Sequence, residues 1–228
     1  MKAALIIANV QNDYFENGAL PIKDANDILS TINSIRTTYD KKFVSIFLTQ
    51  ITRPETHIAF IDSPYAKEEN LPFDPITIAS KGKFKKHCVK GTQGANLSPE
   101  MLVKGNEILI RIGEDKFKEE MSGFCNPQTE ELLKANGINT VFIGGLCLDF
   151  FVGLTAIDSA TKGFDTYIVK DMVKSVAEPS EKEMMKNLEL NKVKIIPFTK
   201  FEEMMKTIED IKQEEDEKIE EGPKEEAK

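Results

Sequence analysis

Two histidines, three cysteines and a few buried-looking acids and arginines are the residues of this 228-residue chain that could do chemistry. His57 and His87 are the only imidazoles. A divalent ion ordinarily takes three or four protein ligands, so two histidines alone fall short of a metal site. Cys88, Cys125 and Cys147 could supply a nucleophile if a neighbouring base or cation turned a thiol into a thiolate. Their odd number and lack of framework spacing argue against a disulfide scaffold and for a reducing compartment. Lys81, Lys83, Lys85 and Lys86 form a local basic patch that reads as a solvated loop rather than a contact for an acidic partner.

The elements that must position these residues follow from the hydrophobic pattern. Ala3 to Ala8 is a continuous apolar run, the mark of a central parallel strand covered on both faces. Asp24 to Tyr39 carries Ile28, Leu29, Ile32 and Ile35 at amphipathic-helix spacing. The pattern predicts further strands at Phe43 to Leu48, Glu107 to Ile110, Thr140 to Leu146, Asp165 to Val169 and Val193 to Ile196. It predicts helices at Asn126 to Asn136, Phe150 to Thr161, Ser180 to Leu190 and Phe201 to Ile211. Strands alternating with helices imply a three-layer α/β/α domain with a mostly parallel six-stranded sheet. In such a sheet, sites form at the carboxyl ends of the strands, here after Ala8, Leu48, Ile110 and Leu146. Ile51 to Phe84 is loop-rich, with Pro54, Pro64, Pro72 and Pro75. We expect one domain over residues 1–212 and a Glu/Lys-rich tail over 213–228, which holds eight acids against three lysines.

Four stretches, in order along the chain, carry a family resemblance. ALIIANVQNDYFENGAL (4–20) resembles an opening strand followed by D-V-Q-N-D-F. ITRPETHIAF (51–60) is similar to D-W-H-P-x-x-H-x-S-F, and HCVKGTQGANLSPE (87–100) to H-C-V-x-G-T-x-G-A-x-L-H-P. GGLCLDFFVGLTA (144–156) is similar to G-L-A-x-D-Y-C-V-x-x-T-A. Together they resemble the nicotinamidase branch of the isochorismatase-like cysteine hydrolases, over roughly residues 2–205.

That resemblance implies amide hydrolysis through a cysteine thioester. A thiolate attacks the carboxamide carbon, an aspartate moves the proton, and a lysine supports both. Two backbone N–H groups hold the oxyanion, and a divalent metal anchors the substrate ring. In this chain the aspartate's position is Asn9, which cannot exchange a proton near neutral pH. The nucleophile's position is Phe151. Arg111 is the candidate for the lysine, in an alignment good to one residue. The metal positions are Ile51, Arg53, His57 and His87, of which only the two histidines match. The backbone of Cys147 and Phe151 is the expected remnant of the oxyanion site, beside a cis peptide at Leu146–Cys147. Asp13, Asp149 and Thr155 match the family; Asp13 is expected to cap loop backbone and Asp149 to cap the helix beginning at Phe150.

Five departures at chemical positions, in an otherwise matching frame, lead us to expect no enzyme. The expectation is an inactive, nicotinamidase-like pseudoenzyme, a structural or binding subunit of a larger assembly. The Phe151 ring would fill the old pocket, at about 1.5–3 kcal/mol for a buried phenyl group. Two alternatives stand beside it: a protein binding a small carboxamide or nucleotide-like ligand, with Asn9, Arg53 and Arg111 as anchors, and a hydrolase of this type with relocated chemistry, for which Cys147 is the available thiol. No cofactor and no metal are expected, residual binding at His57 and His87 included. Expected partners are proteins, as a homo-oligomer or in a large, cytoskeletal assembly. A net charge of −8 without a cationic face argues against nucleic acid. The absence of a long apolar run argues against a membrane, and the expected location is cytoplasmic or cytoskeletal.

Overall fold

The computed structural model describes residues 1–65 and 84–208. The tail, Lys81, Lys83 and most of the proline-rich stretch lie outside the described residues. The elements run β1 (Ala3–Ala8), α1 (Asp27–Thr38), β2 (Phe43–Ile51), β3 (Ile108–Ile112), α2 (Pro127–Ala135) and β4 (Thr140–Leu146). A π-helical turn (Leu148–Val152), α3 (Gly153–Thr161), β5 (Asp165–Lys174), α4 (Glu178–Leu190), β6 (Lys194–Ile196) and α5 (Phe198–Met205) follow. All six strands are parallel, in the order β3-β2-β1-β4-β5-β6. This is the α/β sheet that the hydrophobic pattern implies. β1 and β4 are buried at every residue, so the sheet centre is covered on both faces.

The register of the three central strands builds the site. Ala8 pairs with Thr49 on one side and with Gly145 on the other. The chain leaving β1, β2 and β4 therefore emerges at one level, at the carboxyl edge of the sheet. Gly145, at φ 118°, lies so close to β1 that a Cβ there would sit 2.0 Å from the Ala8 carbonyl oxygen. Only glycine allows that approach.

Several boundaries differ from the sequence pattern for local reasons. β2 and β5 run past Leu48 and Val169 because their neighbours go on pairing with them, Ile51 with Ile112 and Leu146 with Lys174. The helix expected at Phe150 begins instead as the π turn, whose backbone closes on the Cys147 carbonyl through the N–H groups of Phe150 (3.2 Å) and Val152 (3.1 Å). Such turns interrupt helices mostly at functional sites. α5 starts three residues earlier than its apolar spacing suggests. Pro197 precedes it, and the Asp171 carboxylate accepts from the Phe198 N–H at 2.7 Å. Among the described residues no helix is long and apolar enough to cross a membrane.

Candidate functional site at the carboxyl edge of the sheet

The chain turns sharply as it leaves β1. Asn9 sits at φ 51°, a left-handed conformation that asparagine tolerates better than most residues. Its side chain is fully buried; Oδ1 accepts from the Thr49 hydroxyl at 2.7 Å, and Nδ2 has no partner. Gln11 ties the strand ends together. Its Nε2 donates to the carbonyls of Ile51 (2.8 Å) and Ala95 (2.7 Å), and its Oε1 accepts from the Ile51 N–H (2.9 Å). Asp13 accepts from the backbone N–H groups of Ala19 (3.0 Å) and Cys88 (2.6 Å), so it holds two loops at once. A Cβ on Gly94 would lie 2.2 Å from that carboxylate, which restricts the position to glycine.

Arg53 occupies the centre of the site. Its side chain is fully enclosed, as is that of Glu119, which accepts from Nη2 at 2.6 Å. Nη1 lies 2.9 Å from His87 Nε2. Guanidinium can only donate, so that nitrogen accepts and the proton of His87 is on Nδ1, which donates to the Lys85 carbonyl at 2.8 Å. The same reasoning fixes His57. Its Nδ1 accepts from the Ala59 N–H (3.1 Å) and its Nε2 donates to the Lys118 carbonyl (3.0 Å). Both rings are therefore neutral. Burial, then the Arg53 charge, pushes His87 down to about 3. Burial also lowers His57, with Glu119 opposing. Burial works against the charge on Arg53 too, but Glu119 beside it wins and the guanidinium stays protonated. Phe151 closes the group, its ring centroid 5.7 Å from the guanidinium carbon.

At the end of β4 the Leu146–Cys147 peptide is cis, as the resemblance implies. Cys147 is buried, and the Asp149 carboxylate lies close enough to act on its thiol electrostatically. Burial and then the neighbouring Asp149 charge raise this thiol, and burial pushes Cys88 up to about 12. Both are thiols at neutral pH. Asp149 does not cap its own helix. It accepts from Val176 N–H (3.0 Å), Ala177 N–H (3.1 Å) and Ser180 Oγ (2.6 Å), and so fixes the segment that leads into α4. Thr155 accepts from the Gly123 N–H at 3.0 Å.

The structure brings together Asn9, Ile51, Arg53, His57, His87, Cys147 and Phe151, and leaves Arg111 out. Arg111 is exposed on the outer face of β3, and strand alternation buries its neighbours Ile110 and Ile112 instead. A shift of one residue in the alignment exchanges the arginine for Ile112, so neither register supplies a lysine. Sequence reasoning missed Glu119. It lies in the charged run from Glu114 to Glu120, where nothing in the pattern separates a buried acid from solvated ones.

The metal implied by the resemblance does not fit these residues. Ile51 offers no ligand atom, and the guanidinium of Arg53 stands between His87 and Glu119. Among the described residues no three His, Cys, Asp or Glu side chains gather closely enough to hold an ion.

An isochorismatase domain model matches residues 3–199. The chain belongs to the isochorismatase family. It is 33% identical over 181 residues to a nicotinamidase of Acinetobacter baylyi, covering 76% of this chain and 81% of that one. A solved nicotinamidase/pyrazinamidase of Acinetobacter baumannii superposes with a TM-score of 0.75 at 27% identity, over 88% of this chain and 98% of that one. The pyrazinamidase of Pyrococcus horikoshii, solved in complex with zinc, gives 0.74 at 26%, over 86% and 99%. These relatives overturn the expectation that the chain is not an enzyme. They are nicotinamidases matched over most of their length, and they point this isochorismatase-family member to a hydrolase. Nothing in them supports a structural subunit.

Proposed function

We propose that the protein is a nicotinamidase/isochorismatase-type hydrolase of a small amide, with its nucleophile moved to Cys147. The observation that carries this reading is the placement of Cys147. It is the thiol at the carboxyl end of β4, with the Asp149 carboxylate near enough to act on it. Because burial keeps the thiol protonated, attack needs a base, and Asp149 is the carboxylate in contact with it. In the reaction, Sγ bonds to the carboxamide carbon while its proton passes to Asp149. The N–H groups of Cys147 and Phe151 are the donors that would hold the oxyanion. The C–N bond breaks, ammonia leaves with a proton from Asp149, and water hydrolyses the thioester. One strand over, the unpartnered Nδ2 of Asn9 is a buried donor available to the substrate's carbonyl oxygen. Cys147 is 2% exposed, so substrate entry requires the strand-end loops to part.

The test is ammonia release from nicotinamide and pyrazinamide by the purified full-length chain and by Cys147→Ala. Asn9→Asp combined with Phe151→Cys, which restores two positions of the family pattern, serves as the assay control. Turnover by the wild type that disappears in Cys147→Ala is the expected result. No ammonia above buffer from the wild type, or turnover unchanged by Cys147→Ala, sinks the reading.

A further inference from the structure

The geometry points to a covalent replacement of a metal ion. We propose that the guanidinium of Arg53 occupies the place where zinc-holding relatives bind their ion, and that this chain clamps its strand-end loops with that built-in cation and takes up no divalent metal there. The inference does not depend on the proposed hydrolysis or on Cys147.

Three observations carry it. First, the guanidinium is surrounded by groups of metal-ligating types, two imidazoles and a carboxylate, which do not gather closely enough to hold an ion by themselves. His87 turns the lone pair of Nε2 toward Arg53 at 2.9 Å, and Glu119 turns Oε1 toward it at 2.6 Å. His57 completes the ring of groups, with Nδ1 3.7 Å from Glu119 Oε2. His87 is oriented from behind by the Lys85 carbonyl, as a ligating histidine is, while His57 gives both ring nitrogens to backbone, Nδ1 to the Ala59 N–H and Nε2 to the Lys118 carbonyl. Second, the charges balance with one positive unit and not with two. The guanidinium already neutralises the one enclosed carboxylate and both rings are neutral, so a divalent cation would add uncompensated charge beside a buried one. Third, the arginine joins the segments that an ion would join. Its backbone pairs with the 87–90 segment, through its N–H to the Cys88 carbonyl (2.9 Å) and its carbonyl to the Lys90 N–H (2.8 Å). Its side chain reaches Glu119 in the segment after β3. The planar fork suits this bridging, since its two Nη groups address an imidazole and a carboxylate at once.

The position also explains a neighbour. Gly113, at φ 79°, lies where a Cβ would meet Arg53 Cγ at 3.3 Å, so the end of β3 leaves room for the arginine stem.

The experiment uses the full-length chain, its metal content after dialysis against zinc, and its melting temperature with EDTA or with zinc. The expected result is no bound zinc and a melting temperature moved by neither reagent. Arg53→His, which exchanges the cation for a third imidazole beside His57, His87 and Glu119, is expected to bind zinc tighter than the wild type by about 100-fold or more, a gain that His87→Ala removes. Zinc is expected to raise the melting temperature of Arg53→His. Should Arg53→His not fold, Arg53→Gly keeps the proposal testable. Millimolar guanidinium or zinc then raises its melting temperature, with no such effect on the wild type. One zinc per wild-type chain with a melting temperature lowered by EDTA overturns the proposal. So does a pair of variants in which neither zinc nor guanidinium has any effect.

Discussion

Replacing Glu119 by glutamine is the sharpest test of the site's physics, because it removes a charge and almost no volume. Both side chains of the Arg53–Glu119 pair are fully enclosed, at 2.6 Å. The amide leaves a guanidinium buried without its counter-charge. Breaking a buried pair from one side costs about 3–5 kcal/mol. For a folded part of this size, about 2–4 °C of melting temperature goes with each kcal/mol, so a loss of roughly 6–20 °C is expected. The same physics makes a second statement. Removing both charges together, as Arg53→Met with Glu119→Leu, leaves no orphaned ion. The remaining loss is the acceptor of His87, whose Nε2 no longer meets a donor, worth about 1–3 kcal/mol. The double variant is therefore expected to be more stable than the worse single one. The interaction term from the cycle is expected to reach about 2 kcal/mol or more. Urea unfolding followed by circular dichroism measures it, provided the m-values agree. A Glu119→Gln midpoint within about 1 kcal/mol of wild type, or singles that simply add, refutes the claim that this pair is desolvated and coupled.

Three further outcomes follow from the same geometry. His87 is held at about 3 in the fold and has an ordinary value of 6.5 when unfolded, so the unfolded chain binds more protons between those values and stability is lost as pH falls through that window. His57 shifts in the same direction; the urea midpoint is expected to drop between pH 7 and 5, at up to about 1.4 kcal/mol per pH unit for each group, with a shallower fall in His87→Gln, and a flat profile contradicts the neutral assignment. A thiol reagent at pH 8 is expected to label half-buried Cys125 first, Cys147 slowly through the loop opening that substrate entry needs, and Cys88 only on unfolding, so rapid labelling of three thiols in the native chain contradicts their burial. Asp149→Ala strands the buried donors of Val176, Ala177 and Ser180 at the entry to α4 and is expected to cost about 2 kcal/mol in urea unfolding, while unchanged stability places that entry under other control.

The sheet was legible because its strands announce themselves. Ala3–Ala8 and Thr140–Leu146 are unbroken apolar runs, and their observed limits are those the pattern implies. Where pattern and structure part, a long-range partner decides. The Phe198 N–H finds Asp171, 27 residues away, and α5 begins there and not at its first strongly periodic residue. Asp149 lies at the start of a helical pattern, yet its carboxylate reaches 27 and more residues ahead to the segment that leads into α4. A rule of local spacing has no access to either bond. The site was half legible. Asn9, Arg53, His57, His87, Cys147 and Phe151 converge because motif order carries them to strand ends that share a level. Arg111 does not, because a strand reverses its facing at every residue and a one-residue error moves a side chain to the other surface. Glu119 was invisible because burial of a single acid depends on the partner that neutralises it, and that partner lies 66 residues earlier.

Two sets of residues at this edge have followed different rules. Gln11, Asp13, Thr155 and Asp149 bond to backbone groups of other elements, and each matches the family pattern. Their partners are N–H and C=O groups, present whatever side chains surround them, so any change strands buried backbone polarity. Asn9, Arg53 and Phe151 instead face side chains. Arg53 meets His87, Glu119 and the Phe151 ring, and Asn9 meets Thr49. Side chains can be exchanged together, provided charge and volume still close. Arg53 with Glu119 closes the charge, and Phe151 fills the volume beside it. The frame therefore constrains where chemistry can sit, the exit of β4 with its two backbone N–H groups, more tightly than which side chain performs it. That asymmetry is why Cys147, four residues from Phe151 and at the exit of β4, is the position at which hydrolysis by this chain should first be sought.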